Sequence, residues 1–308
     1  MAREPGKLLI RGGRVYDHDG DVHRPAIADI LIEGPNITAI GPELGPDQTA
    51  GAEVIDATGH LVMPGMINAH YHSHDTLCRG LFEELPLEMW LLYTLPMGAH
   101  RSMREVRLRT LVGALESLRC GITTVQDMLG LIPLGEDYVD VVIAAYEEIG
   151  ARVVFSPMVF DIPAVNMLRF KEVLPPEIQD MMGTTALGAK QQIDFLEAQI
   201  KRHPAAGTLH WAVGPFAPQR CTPELLEGCA DLAQRHDLGV YIHVYETRGQ
   251  IVMAREAYAD YGGSFITYMD KAGLLNHRLN IAHSVWLDRN EMDRMAESDA
   301  GAVLNHLS

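Results

Sequence analysis

Apolar and polar positions change texture near residue 61. Before that point apolar residues come in short bursts, at 7–10, 14–16, 29–33, 37–40 and 52–56. The turn pairs Gly12-Gly13, Asp19-Gly20, Gly34-Pro35 and Gly45-Pro46 punctuate them. Short β-type runs between turn signals predict a small β-sandwich over residues 1–62. After residue 61, strand-length apolar runs alternate with segments of helical period, as βα units require. Strands are expected at 61–72, 122–128, 152–155, 209–213, 239–244, 279–282 and 302–305. Helices are expected at 104–119, 138–148, 191–203, 249–260, 264–274 and 289–298, with one more opening at Thr222-Pro223, where a Thr cap precedes a first-turn Pro. Residues 160–190 carry no clear period. Seven strand signals fall short of the eight that close an α/β barrel. The expected fold is therefore α/β: a TIM-like (β/α)8 barrel over residues 63–308, incomplete at the C-terminus.

Composition narrows the function classes. The chain has 308 residues, is 47% hydrophobic and carries a formal net charge of −16. That size allows a large core. The acidic balance disfavours a nucleic-acid backbone or an anionic membrane as partner. Cys78, Cys120, Cys221 and Cys229 form no C-x-x-C pair, so neither a zinc ribbon nor a thioredoxin-type site is indicated. The first residues lack the apolar stretch of a signal peptide, and no run reaches the length of a membrane helix. These features are read as those of a cytoplasmic protein with free thiols.

The chemistry concentrates in Val62-Met-Pro-Gly-Met-Ile-Asn-Ala-His-Tyr-His-Ser-His74. An apolar strand start and a Pro-Gly corner lead into His70-Tyr71-His72. Residues i and i+2 of a strand share a face, so both imidazoles aim the same way and can grip a divalent metal, zinc above all. His243 ends the strand signal at 239–244, and His283 ends the one at 279–282. Active sites of α/β barrels gather at such strand ends.

The segment from Pro64 to His72 resembles the first barrel strand of the metal-dependent amidohydrolase superfamily. Thr76-Leu-Cys-Arg-Gly80 and Leu85-Pro-Leu-Glu-Met-Trp-Leu91 resemble its aminohydrolase and chlorohydrolase branch, which includes S-adenosylhomocysteine deaminases, guanine-type deaminases and triazine hydrolases. The resemblance runs from about Lys7 to Ser308. It implies that His70, His72 and His243 ligate one divalent metal, zinc first and Fe2+ as the alternative. It implies that Glu246 shuttles protons and that His283 contacts the attacking water or the substrate ring. The implied reaction is hydrolytic deamination of an amino-substituted nitrogen heterocycle, with metal-bound hydroxide attacking the ring carbon and ammonia leaving. A chlorohydrolase of the same branch, or an inactive truncated relative, is the alternative.

The family's remaining ligand is an Asp on the eighth strand, beyond Ser308, and Asp127, Asp293 and Asp299 do not stand in its place. No Lys lies on the strand at 209–213, which favours one metal over two. For the substrate, a small heterocycle, the candidates are Arg79 and Trp90 in the long segment after the first strand, and Phe216 and Gln219 after the fourth. Relatives often carry a substrate-contacting His where Phe216 stands. His74, His100, His210 and His306 are read as structural or surface residues. The family implies a homo-oligomer, although no interface is legible.

Overall fold

The Gly12-Gly13 pair lies inside a strand, not between two. In the computed structural model, which describes residues 6–82, 84–98, 101–167, 171–183 and 187–305, β1 (Lys7–Val15) runs through both glycines. Its antiparallel pairing with β2 (Ala26–Glu33) shifts register between Ile10 and Gly13. Gly12 takes φ +70°, and a Cβ on Gly13 would lie 2.5 Å from Val62 Cγ2. The bulge therefore needs glycine twice, once for conformation and once for space. The sequence pattern had split this strand at the bulge.

The chain divides into two units, Met1–Gly65 and Met66–Ser308. The first holds β1, β2, β3 (Asn36–Gly41), the short helix α1 (Pro46–Thr49), β4 (Glu53–Asp56) and β5 (Leu61–Val62). These strands form one mixed sheet in the order β3-β2-β1-β4, with β5 also pairing β1. Leu9, Leu31 and Leu44 make its buried cluster. Asp29 is buried and accepts hydrogen bonds from the backbone N–H groups of Gly12 (2.8 Å) and Leu44 (3.1 Å), tying the bulge to the loop before α1.

The second unit alternates strands and helices: β6 (Met66–Tyr71), α2 (Leu87–Gly98), α3 (Met103–Arg119), β7 (Ile122–Leu129), α4 (Glu136–Ile149), β8 (Arg152–Val159), α5 (Pro176–Gly183), α6 (Ala189–Arg202), β9 (Leu209–Pro215), α7 (Pro223–His236), β10 (Gly239–Val244), α8 (Arg248–Ala257), α9 (Phe265–Lys271), β11 (Leu279–His283), α10 (Arg289–Ser298) and β12 (Gly301–Val303). All strand pairs are parallel, and spatial order equals chain order from β6 to β12, the two edges. This is a seven-stranded, nearly closed barrel of βα units.

Strand β8 runs four residues beyond its expected end, and β7 one. The reason is polar and buried: Gln126 Nε2 donates to Ser156 Oγ at 2.7 Å, and Asp127 sits fully buried beside them. Satisfied polar pairs inside a sheet interrupt the apolar signal without interrupting the strand. The expected helices start within two residues of their predicted positions, and α2 and α5 were not expected. Ser102, Thr222 and Asp288 each accept a backbone N–H three residues on. The larger core cluster packs Leu225, Leu226 and Leu232 of α7 and Phe265, Ile266 and Met269 of α9 against Val240, Ile242 and Val244 of β10. Each fully buried aliphatic side chain there contributes about 1.5–3 kcal/mol, which fixes β10 and the residues at its end. Among the described residues, no helix is long and apolar enough to cross a membrane.

Candidate metal centre and active site

His70 lies on β6, and His72 follows the last strand residue, capping the 3-10 turn Ser73–Cys78 with an extended backbone. The turn is pinned where it begins: Asp127 Oδ1 accepts the Ser73 N–H at 2.9 Å, and its Oδ2 accepts the Tyr146 hydroxyl at 2.7 Å. His243 is the penultimate residue of β10, with its backbone N–H on the Phe216 carbonyl at 3.2 Å. His283 ends β11 with φ +74°, followed by Ser284 at φ +57°. Ser284 donates its backbone N–H to the Val244 carbonyl at 3.0 Å, which locks that turn against β10.

The three predicted ligands converge. Ring centroids are 4.6 Å apart for His70 and His72, 4.9 Å for His70 and His243, and 5.1 Å for His72 and His243. One nitrogen from each lies within 4.8 Å of the others, so the trio can hold a metal ion. The inner orientation is set from outside. His72 Nδ1 donates to the Met128 carbonyl at 2.6 Å, and His243 Nδ1 donates to the Phe216 carbonyl. Each ring then turns an unprotonated Nε2 inward, the tautomer a metal needs. Both ring nitrogens of His70 are buried without a hydrogen-bond partner. An orphaned imidazole facing two inward lone pairs fits a cation at their centre.

The charges follow burial. Desolvation, then the neighbouring His72, His243 and His283, push His70 well below the usual histidine range. Desolvation first, then His72, does the same to His243. His283 falls to about 4 for the same two reasons. His70 and His243 are thus neutral and ready to ligate near pH 7. Glu246 moves the other way: desolvation, with Glu88 as the nearby like charge, raises it to about 7. That is the range in which a carboxyl group both gives and takes a proton. Glu246 Oε2 lies 3.4 Å from His283 Nε2. The Glu246 backbone N–H donates to Gln250 Oε1 at 2.9 Å. Glu88 Oε1 accepts the Thr247 hydroxyl at 2.6 Å.

A cavity of about 620 Å³ opens over these groups. Its wall includes the four histidines, Glu246, Trp90 and Phe216. Of the four substrate candidates it takes in Trp90 and Phe216 but not Arg79 or Gln219. Arg79 pairs with Glu116 on the exposed face of α3 and donates Nε to the Thr76 carbonyl at 3.3 Å. Gln219 is buried in the turn after β9.

The wall residues that escaped the sequence reading include His74, Asp75 and Asn305. His74, expected to be structural, lies 5.0 Å from the His72 ring and accepts the Gly130 N–H at Nδ1. Asp75, 3.3 Å from His74 Nε2, lines the wall beside it. Asn305 lies just beyond β12, with Nδ2 3.1 Å from His283 Nδ1. The Asn305 amide donates there, which leaves the proton of His283 on Nε2, facing Glu246. Period two in His70-x-His72-x-His74 was the available signal for His74. Asn305 had none, because its strand carries only three ladder residues. His210 is exposed on β9, and Lys190 pairs with Asp194 on the surface of α6. His100 and His306 lie outside the described residues.

Residues 61–307 match the amidohydrolase family. The chain belongs to that family. It is 32% identical over 301 residues to a 5-methylthioadenosine/S-adenosylhomocysteine deaminase of Symbiobacterium thermophilum, covering 96% of this chain and 62% of that one. It is 32% identical to a 5'-deoxyadenosine deaminase of Methanothermobacter thermautotrophicus, covering 95% and 60%. Among solved structures, atrazine chlorohydrolase from Arthrobacter aurescens, complexed with zinc, superposes with a TM-score of 0.82 at 25% identity, covering 97% of this chain and 65% of that one. This amidohydrolase chain thus spans under two thirds of the length of each.

Proposed function

We propose that this chain carries the active site of a metal-dependent hydrolytic deaminase acting on an amino-substituted nitrogen heterocycle of the purine, pteridine, pyrimidine or triazine type. The observation that carries the reading is the convergence of His70, His72 and His243 with Glu246 and His283 on one cavity at the C-terminal ends of three strands. The deaminase relatives support it, and adenine nucleosides head the list of substrates for that reason.

His70, His72 and His243 would hold one divalent ion, zinc first and Fe2+ second. Such an ion, when bound, lowers the pKa of water towards neutrality and polarises the ring carbon's substituents. Trp90 and Phe216 offer aromatic walls against which a planar ring packs. Glu246, with its raised pKa, would accept one proton of the attacking water and pass it to a ring nitrogen, then carry the second, from the hydroxyl now on the ring carbon, to the departing amine. His283, neutral and protonated on Nε2, donates towards Glu246 or the entering oxygen. A cytoplasmic setting suits the four free cysteines, and self-association is the partnership the family suggests.

The chlorohydrolase likeness motivates a second reading, the same displacement with chloride leaving. One panel decides between them. Zinc-loaded protein is offered adenine nucleosides, guanine, cytosine, aminopteridines and amino- or chlorotriazines, with ammonia and chloride both measured. Ammonia release from at least one aminated ring is expected. Chloride release alone replaces the first reading with the second, and neither product overturns both.

A further inference from the structure

Strand geometry alone would not bring Glu246 to the metal centre. In an extended chain, alternate side chains point to opposite faces. His243 faces the cavity, so a strand continued beyond Val244 would send Tyr245 to the same face and Glu246 to the far one. The chain avoids this at a single residue. Tyr245 takes φ +53°, in the left-handed region that side chains other than glycine avoid. Its own ring goes outward into the helical layer, and Glu246 returns to the cavity.

A strained residue persists only where its surroundings over-determine it, and here they are specific. Tyr245 is 2% exposed. Its hydroxyl donates to Glu291 Oε1 on α10 at 2.7 Å and accepts the Phe265 backbone N–H at 3.0 Å. Its ring stacks on Phe265, with centroids 5.3 Å apart. Glu291 is itself buried and held: Ser264 Oγ donates to Oε1 at 2.6 Å, and the Asp288 N–H donates to Oε2 at 3.1 Å. This cluster lies on the opposite side of the turn from the histidines, among the helices.

We propose that Tyr245 is a positioning residue, whose hydroxyl, clamped on Glu291, locks the left-handed turn that returns Glu246 to the cavity His243 faces. The inference rests on reading Glu246 as the proton-transfer group. It adds a cause for its placement, and a route by which α10 constrains the site.

The test compares Tyr245→Phe with Phe265→Leu in the full chain. The first removes the clamp and keeps the ring. The second thins the stacking and keeps the O–H bond, so it controls for loss of stability. Two readouts are taken: steady-state ammonia release, and backbone hydrogen exchange of peptides spanning residues 243–250. The proposal expects Tyr245→Phe to exchange those peptides at least tenfold faster, at unchanged zinc content. It expects kcat to fall at least tenfold with KM within twofold of wild type. Phe265→Leu should leave both within threefold. Equal effects in the two variants, or unchanged exchange in Tyr245→Phe, overturn the clamp. Should the wild type release no ammonia, the deaminase reading falls, and the exchange data alone decide whether the clamp stands.

Discussion

The Nε2 atoms of His72 and His243 face one another across 3.1 Å. Each ring donates its other nitrogen to a backbone carbonyl, so both inward nitrogens carry lone pairs. Two lone pairs at that distance repel unless something positive lies between or beside them. Zinc–nitrogen bonds of about 2.0–2.1 Å at a tetrahedral angle put two ligand nitrogens roughly 3.3 Å apart, close to what is seen. The protein therefore builds the spacing into the sheet, through the carbonyls of Met128 and Phe216.

That arrangement makes folding and metal binding one equilibrium. Zinc at about a hundred times its dissociation constant should stabilise the chelator-treated protein by about 2.7 kcal/mol. Urea denaturation with and without zinc measures this. In His243→Phe the gain should vanish, because the pair is broken.

Glu246→Gln should keep zinc and lose turnover. Removing a positioned acid–base group costs about 10²- to 10⁴-fold in rate. A loss below tenfold, at unchanged metal content, would reassign the proton transfer to another group.

Asn305 should act through His283. In Asn305→Leu the imidazole loses the donor that fixes its tautomer, and kcat should fall about 10- to 100-fold, the range for partners that orient site histidines. Zinc affinity should hold, since His283 stands outside the ligand trio. A matched loss of zinc would show that β12 supports the trio itself.

In the metal-free protein, His283 and Glu246 should pull stability in opposite directions as the medium becomes mildly acid. His283 has a folded pKa of about 4, below the ordinary 6.5. Its contribution to stability is present above pH 6.5 and is lost as pH falls towards 4. At pH 5 the loss amounts to roughly 2 kcal/mol. Glu246, raised to about 7 from 4.5, has the opposite sign: its contribution is present below pH 4.5 and is lost as pH rises through 7. Denaturation in chelator at pH 7.5 and pH 5 should show His283→Asn losing less stability than wild type. An equal loss in both would contradict the neutral, buried state of His283.

The sequence carried the parts of this site that regular structure delivers. His70, His72, His243 and His283 each lie at or beside the end of a strand that the sequence pattern marks, so their common location follows from the fold class. Glu246 came from the family resemblance, although alternation alone would have sent it the wrong way. What brings it back is the left-handed Tyr245, and no local residue type announces that turn. Ser156 hid the end of β8, because its partner Gln126 is across the sheet and distant in sequence. Arg79 looked available for a ring or carboxylate and is instead engaged with Glu116, seen only once α3 is folded beside it.

The most direct test is the zinc content of the purified, zinc-equilibrated chain beside His70→Ala. Both ring nitrogens of His70 are buried without a hydrogen-bond partner, so ligation is the role proposed for it. The account predicts about one zinc per chain in the wild type and little in the variant. Equal zinc in both, or none in the wild type, would contradict a metal centre at His70, His72 and His243.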